Sequence, residues 1–142
     1  MTLGTAAVAF AAGFISVLIF HQGMWALLRA AGLGPGPAWN LTPVPPLGIP
    51  SVISSAFWGG LWGIVLLYLL PLAAPSMGYW AAAIVLGAVM TSFVALFIVA
   101  PLKGRPIAGG GNPLAWAFAL LVNAAWGFGV ALLLRLFSRY LG

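Results

Sequence analysis

Residues 77–100 read MGYWAAAIVLGAVMTSFVALFIVA, a run without a single charged residue. An α-helix needs roughly 20 apolar residues to cross about 30 Å of hydrocarbon, and this run meets that length. Polar and apolar residues do not alternate along it, so it is not a strand of a membrane barrel. Three more runs of the same kind lie outward from it. One spans Thr5 to Leu28 and ends at Arg29; one spans Ser51 to Leu70, ahead of Pro71 and Pro75; one spans Pro113 to Phe137. The 77–100 run itself stops against Pro101. Backbone N–H and C=O groups in lipid must be paired within their own segment, so each run is read as a helix. The fold class that follows is an all-α integral membrane protein. A single transmembrane domain over residues 1–142 forms a four-transmembrane-helix bundle, with helices at about 5–28, 51–70, 77–100 and 113–137 in the order down, up, down, up.

Composition agrees. The chain has no Asp and no Glu, five Lys and Arg together, and 64% hydrophobic residues. A water-soluble domain carries charge on about a quarter of its residues. The net charge of +5 rests on scattered cations rather than a basic cluster, which argues against nucleic acid as a partner. No Cys is present, so there is no disulfide or thiolate chemistry. The first helix lacks a basic leader and is too long for a signal-peptide core, so it reads as a retained span.

The connections differ. Residues 73–78 form a short turn, which predicts a tight hairpin of the second and third helices. Residues 30–50 contain six prolines, no charge past Arg29 and one Trp, Trp39, and read as an extended segment lying along the membrane interface. Residues 102–112 hold Lys103, Arg105 and the triplet Gly109–Gly111, and read as a flexible basic loop. Four spans put both long loops on one side, with Arg29, Lys103 and Arg105, and both termini on the other, with Arg135, Arg139 and the terminal amine. Positive groups balance, so the positive-inside rule gives no orientation. Trp25, Trp39 and Trp116 belong to the loop-side interface, and Tyr79, Trp80 and Tyr140 to the terminal side.

An internal match suggests two tandem helical hairpins in the same orientation. The stretch Ser55-Ala-Phe-Trp58-Gly59 resembles Asn123-Ala-Ala-Trp126-Gly127 at an offset of 68, and Ala12 with Ser16 resembles Ala88 with Ser92 at an offset of 76. Chance matches among abundant Ala, Gly and Trp are the alternative. Small residues also recur every fourth position, as Ser55, Gly59, Gly63 and as Ala119, Asn123, Gly127, Ala131. Such faces let helix backbones approach closely, within the chain or against another subunit.

Few side chains offer chemistry. His21 is the one histidine, roughly 10 Å inside the first helix at 1.5 Å per residue. It is a candidate axial ligand for haem or a chlorophyll-type pigment; the plainer reading places it near the headgroups, bonded to Gln22, a carbonyl or water. No resident cofactor is otherwise expected. Ser16, Gln22, Thr91, Ser92 and Asn123 are candidates for a polar path or for interhelical hydrogen bonds. Arg29, Lys103 and Arg105 are candidates for lipid headgroups. The deep Trp62 and Trp126 each carry an indole N–H in need of an acceptor and offer walls for a pocket. No nucleophile with its base, no carboxylate pair and no metal-ligand set is encoded, so the chain reads as non-enzymatic.

The runs Gly13–Gly23, Ala56–Gly63 and Ala100–Gly109 resemble those of small bacterial inner-membrane proteins for which no activity is known. The resemblance implies a multi-pass protein of a bacterial inner membrane and brings no mechanism. Fluoride channels share the size and the Thr91-Ser92-Phe93 triplet, but their fuller motifs are missing. Two functions follow as expectations. The first is a non-catalytic accessory or stabilising subunit, or a homo-oligomer, whose partners are lipids and other membrane subunits or itself. The second is a small channel or carrier for an anion or a neutral solute.

Overall fold

In the computed structural model, which describes residues 2–141 with side chains through Arg139, four helices are long and apolar enough to cross a membrane. They are α1 (Leu3–Ala30), α2 (Ser51–Met77), α3 (Tyr79–Leu102) and α4 (Pro113–Leu141). A two-residue ladder, β1 (Pro43–Val44) with β2 (Ile49–Pro50), lies in the first long loop. The terminal amine and the Tyr140 side chain, both assigned from sequence to the terminal side, lie outside the described groups.

Helix α1 starts earlier than its hydropathy indicates. Thr2 accepts from the Thr5 N–H at 3.1 Å, and the Thr5 hydroxyl oxygen accepts from the Thr2 N–H at 2.9 Å. This reciprocal cap satisfies donors that the first turn would otherwise leave free. Helix α2 runs through Pro71 and Pro75 to Met77, and the whole α2–α3 turn is Gly78, at φ 88°. The sequence reading had stopped that helix at the prolines. Each proline removes one N–H, yet unwinding in lipid would leave several groups unpaired, so the helix persists. Pro101 likewise sits inside α3 instead of ending it.

Contact is extensive within the pairs α1–α2 and α3–α4, and between α1 and α4; α2 and α3 touch, but less extensively than the short turn implied. The pairs α1–α2 and α3–α4 both cross on glycine. A Cβ on Gly13 would strike the Gly59 carbonyl and the Gly63 Cα, and one on Gly63 would strike the Ala9 carbonyl. A Cβ on Gly87 would meet the Gly127 Cα and the Asn123 carbonyl, and one on Gly127 would strike the Ala83 carbonyl. These glycine contacts correspond. Adding 74 to the α1 residue and 64 to the α2 residue converts each of those named in the first crossing into its counterpart in the second. The chain is thus two equivalent hairpins side by side, and the matches at 68 and 76 were each out of register.

The equivalence extends into the core. Ala9 matches Ala83, Leu66 matches Val130, and Leu70 matches Leu134, and all six are buried. Near the termini, Arg135 lies over the rings of Tyr79, at 4.3 Å, and Trp80, at 5.2 Å, and Tyr79 donates to the Ala131 carbonyl at 2.7 Å. Arg135→Gln is expected to lower stability by about 0.5–1 kcal/mol, the usual range for an exposed cation–π contact. Thermal unfolding in detergent measures this.

Candidate functional site: a polar cavity between the hairpins

A cavity of about 100 Å³ lies between the hairpins, lined by Val17, His21, Ser55, Gly59, Trp62, Thr91, Asn123 and Trp126. Six of the eight form equivalent pairs under the same offsets: Val17 with Thr91, Gly59 with Asn123, and Trp62 with Trp126. The cavity therefore sits where the two hairpins face each other. The counterparts of His21 and Ser55 are Ala95 and Ala119. Apart from the two tryptophans, polar groups are not duplicated: where one hairpin carries His, Ser, Thr or Asn, the other carries Ala, Val or Gly.

Helix geometry sets its depth. Ser55 lies one turn into α2 from the loop side and Trp62 about three turns in, or roughly 6 and 17 Å at 1.5 Å per residue. Ser55 is the only exposed residue of the lining and marks the mouth. Below the tryptophans, the paired layers Leu66 with Val130 and Leu70 with Leu134 belong to the continuous apolar core. The cavity is a pocket in the loop-side half of the bundle and does not pass through it.

Local irregularities place its polar groups. Val17–His21 is a π turn within α1, and α3 carries another at Ala95–Val99. A π turn widens the helix and disrupts its hydrogen-bond ladder. Within the first, the Leu18 carbonyl accepts the Trp39 indole N–H at 2.8 Å. The Trp39 backbone N–H donates to Gln22 Oε1 at 2.7 Å, and Gln22 Nε2 lies 3.0 Å from His21 Nδ1. A backbone N–H can only donate, so the Gln22 atom facing it is the carbonyl oxygen and the other is the NH₂ group. That NH₂ donates to Nδ1, and the neutral imidazole carries its proton on Nε2. Among the described residues Nε2 has no protein partner, and it is not fully buried.

The remaining candidates divide. Asn123 Nδ2 donates to Ser92 Oγ at 3.0 Å, and Thr91 Oγ1 donates back to the Gly87 carbonyl. Ser16 is fully buried and donates to the Trp126 carbonyl at 2.7 Å, joining α1 to α4. Trp126 spends its indole N–H on the Gly13 carbonyl at 3.1 Å. Thr91, Ser92 and Asn123 are brought together, Gln22 supports His21, and Ser16 fastens helices, so the five do not form one continuous path. Ser55 and Trp62, which were read from sequence as a packing residue and a pocket wall, supply polar atoms with no protein partner. Arg29, Lys103 and Arg105 are exposed at the loop end of the bundle. The cavity, at about 100 Å³, is far smaller than a tetrapyrrole, so a haem or chlorophyll-type pigment does not fit inside it.

The loop over this end is folded, not extended. The Trp25 indole donates to the Gly36 carbonyl at 2.9 Å, and Gly34 packs on Phe118 of α4. The Ser51 and Val52 N–H groups, free at the start of α2, donate to the Thr42 and Asn40 carbonyls. The second loop makes a left-handed turn at Ala108–Gly110, where the Ala108 carbonyl accepts the Trp116 indole N–H at 2.7 Å. Each loop-side tryptophan assigned to the interface thus pins backbone with its N–H.

Fold and site together define a class: a multi-pass four-helix membrane protein of two tandem hairpins enclosing a small polar pocket. No known protein family, no characterised relative and no solved structure matches this chain.

Proposed function

We propose that this protein is a small membrane carrier or channel component that holds an anion or a neutral polar solute between its hairpins. The carrying observation is the cavity, lined by His21, Ser55, Trp62 and Asn123, each with a polar atom that has no protein partner among the described residues. Unpaired polar groups at this depth are costly unless something fills their hydrogen bonds. Transporters built from parallel repeats place their solute at the repeat interface, and this pocket has that position. The aliphatic floor makes it a station closed on the terminal side. Transport would then require those layers to part. Asn123→Leu replaces the amide with a larger alkyl group of the same branching, which removes its polar atoms and intrudes on the cavity. Solute flux into proteoliposomes is expected to fall at least tenfold while the bundle stays folded; unchanged flux would refute this reading.

An accessory or self-associating role in a bacterial inner membrane is the second reading. One observation favours it: an open apolar groove of about 490 Å³ between α1 and α4, lined by residues including Phe20, Leu27, Leu121 and Phe128. The small-residue faces no longer argue for it, because Gly13, Gly59, Gly63, Gly87 and Gly127 are used inside the chain. In either role Arg29, Lys103 and Arg105 would meet lipid headgroups. Native mass measurement in mild detergent separates the two readings, since a strictly monomeric particle leaves only the first.

A further inference from the structure

We infer that the cavity binds a small monovalent inorganic anion against the first hairpin, with His21 Nε2–H, Trp62 Nε1–H and the Ser55 hydroxyl as its donors. This rests on reading the cavity as the solute site and names the solute class.

The polar atoms around the cavity are segregated by hairpin. Among the described residues, the three donor groups with no hydrogen bond to protein at all, on His21, Ser55 and Trp62, belong to α1 and α2. On the facing hairpin, the Thr91 hydroxyl hydrogen is committed to the Gly87 carbonyl, leaving its oxygen as an acceptor. Asn123 gives one Nδ2 hydrogen to Ser92 and keeps the other, and its Oδ1 has no partner among the described residues. The Trp126 N–H is committed to the Gly13 carbonyl. One wall therefore donates and the other mainly accepts. The His21 donor is not incidental. The relay from the Trp39 N–H through Gln22 to Nδ1 places the ring proton on Nε2. A cation would need acceptor atoms converging on it, whereas the first wall turns N–H and O–H donors inward and no carboxylate side chain is present in the chain.

Size and charge agree. A water needs about 10–15 Å³ of cavity of this kind. About 100 Å³ therefore admits a small anion together with one or two waters. Such a water donates to Asn123 Oδ1 or Thr91 Oγ1 and turns toward the anion, so the accepting wall is satisfied as well. No side chain in the whole protein is negative, and the net charge is +5. Arg29, Lys103 and Arg105 all lie at the loop end, the side on which the cavity lies, and raise the local anion concentration there.

The single histidine makes the test direct. Protein labelled with ¹⁵N-histidine in nanodiscs gives one imidazole, whose Nε2 resonance is followed during titration with sodium chloride, sodium nitrate or urea. Sodium gluconate holds the ionic strength constant. A saturable shift with chloride or nitrate and none with urea is expected. Trp62→Phe removes one donor at nearly constant shape and is expected to weaken the midpoint about tenfold, the scale of one hydrogen bond to a charged group. Ser55→Ala, at the exposed mouth, provides the second variant if Trp62→Phe folds poorly, with a weakening of threefold or more. A saturable shift with urea alone overturns the anion and leaves the solute site standing. No shift with any of the three overturns both. An anion shift unaltered in the two variants overturns the assignment of donors.

Discussion

Gly13→Val and Gly87→Val are each expected to destabilise the bundle by about 3 kcal/mol or more, and by similar amounts. Overpacking usually costs about 1–3 kcal/mol because neighbouring side chains can shift. Here the obstacle is backbone. A Cβ on Gly13 enters the Gly59 carbonyl and approaches the Gly63 Cα at 3.0 Å; a Cβ on Gly87 lies 2.8 Å from the Gly127 Cα and 3.2 Å from the Asn123 carbonyl. Neither partner has a rotamer to change, so the helices must separate along the whole crossing. In lipid that contact has no hydrophobic substitute, because association depends on the close fit itself. Gly23→Ala is the control. Nothing lies within 4 Å of a Cβ there, so the change should be neutral or gain up to about 1 kcal/mol from helix propensity. Unfolding in mixed micelles gives all three values. A mild Gly87→Val beside a severe Gly13→Val would show that the two crossings are not equivalent.

Gln22→Met is expected to disconnect the long loop from the cavity. The variant keeps the length and packing of the side chain and removes both of its hydrogen bonds. The Trp39 N–H then loses its acceptor and His21 Nδ1 its donor, at about 1–3 kcal/mol for a polar group left unpaired. Two readouts follow. Amide exchange across residues 36–44 should accelerate several-fold as the loop undocks. The His21 ring, now free of its donor, should populate both neutral tautomers, visible as averaged Nδ1 and Nε2 signals in place of two distinct ones. A single Nε2–H tautomer in the variant would show that something other than Gln22 sets the ring. Loop exchange unchanged from wild type would show that the two other tryptophan bonds, to Leu18 and Gly36, hold the loop unaided.

The four spans were legible because length and apolarity decide them locally. Their ends were not. Pro71 and Pro75 look like stops by the rules for helices in water, where an unpaired carbonyl finds a solvent partner; in lipid it does not, and the helix carries through to Gly78. Turn length misled on pairing. The single-residue turn holds α2 beside α3, but Gly13, Gly63, Gly87 and Gly127 decide which helices approach closely, and they join α1 to α2 and α3 to α4. The repeat was visible out of register, by four residues between α2 and α4 and by two between α1 and α3. Trp58 and Trp62 are four residues apart, so a match on letters aligned Trp58 with Trp126, whereas the crossing aligns Trp62. The cavity was legible only in pieces. Depth along a helix can be counted from its end, which located His21 and Asn123. Direction around the axis depends on the crossing and on the π turn, and neither is written in the local sequence. The Gln22–His21 bond was foreseen because the residues are neighbours. The Trp39 contribution was not, because it comes from a loop whose prolines suggested extension and whose fold depends on docking against α1.

The unduplicated polar residues of the cavity have a consequence for how such a pocket can be made at all. Two separate copies of one hairpin, meeting about a twofold axis, would have to present identical side chains on both walls. A histidine would face a histidine, an asparagine an asparagine, and a donor wall could never oppose an acceptor wall. Joining the halves in one chain removes that restriction, because each position can be chosen without its mirror image. The loop from α2 to α3, one glycine long, is the covalent link that makes the two walls distinguishable, and it gives the pocket a polarity that no symmetric pair could hold.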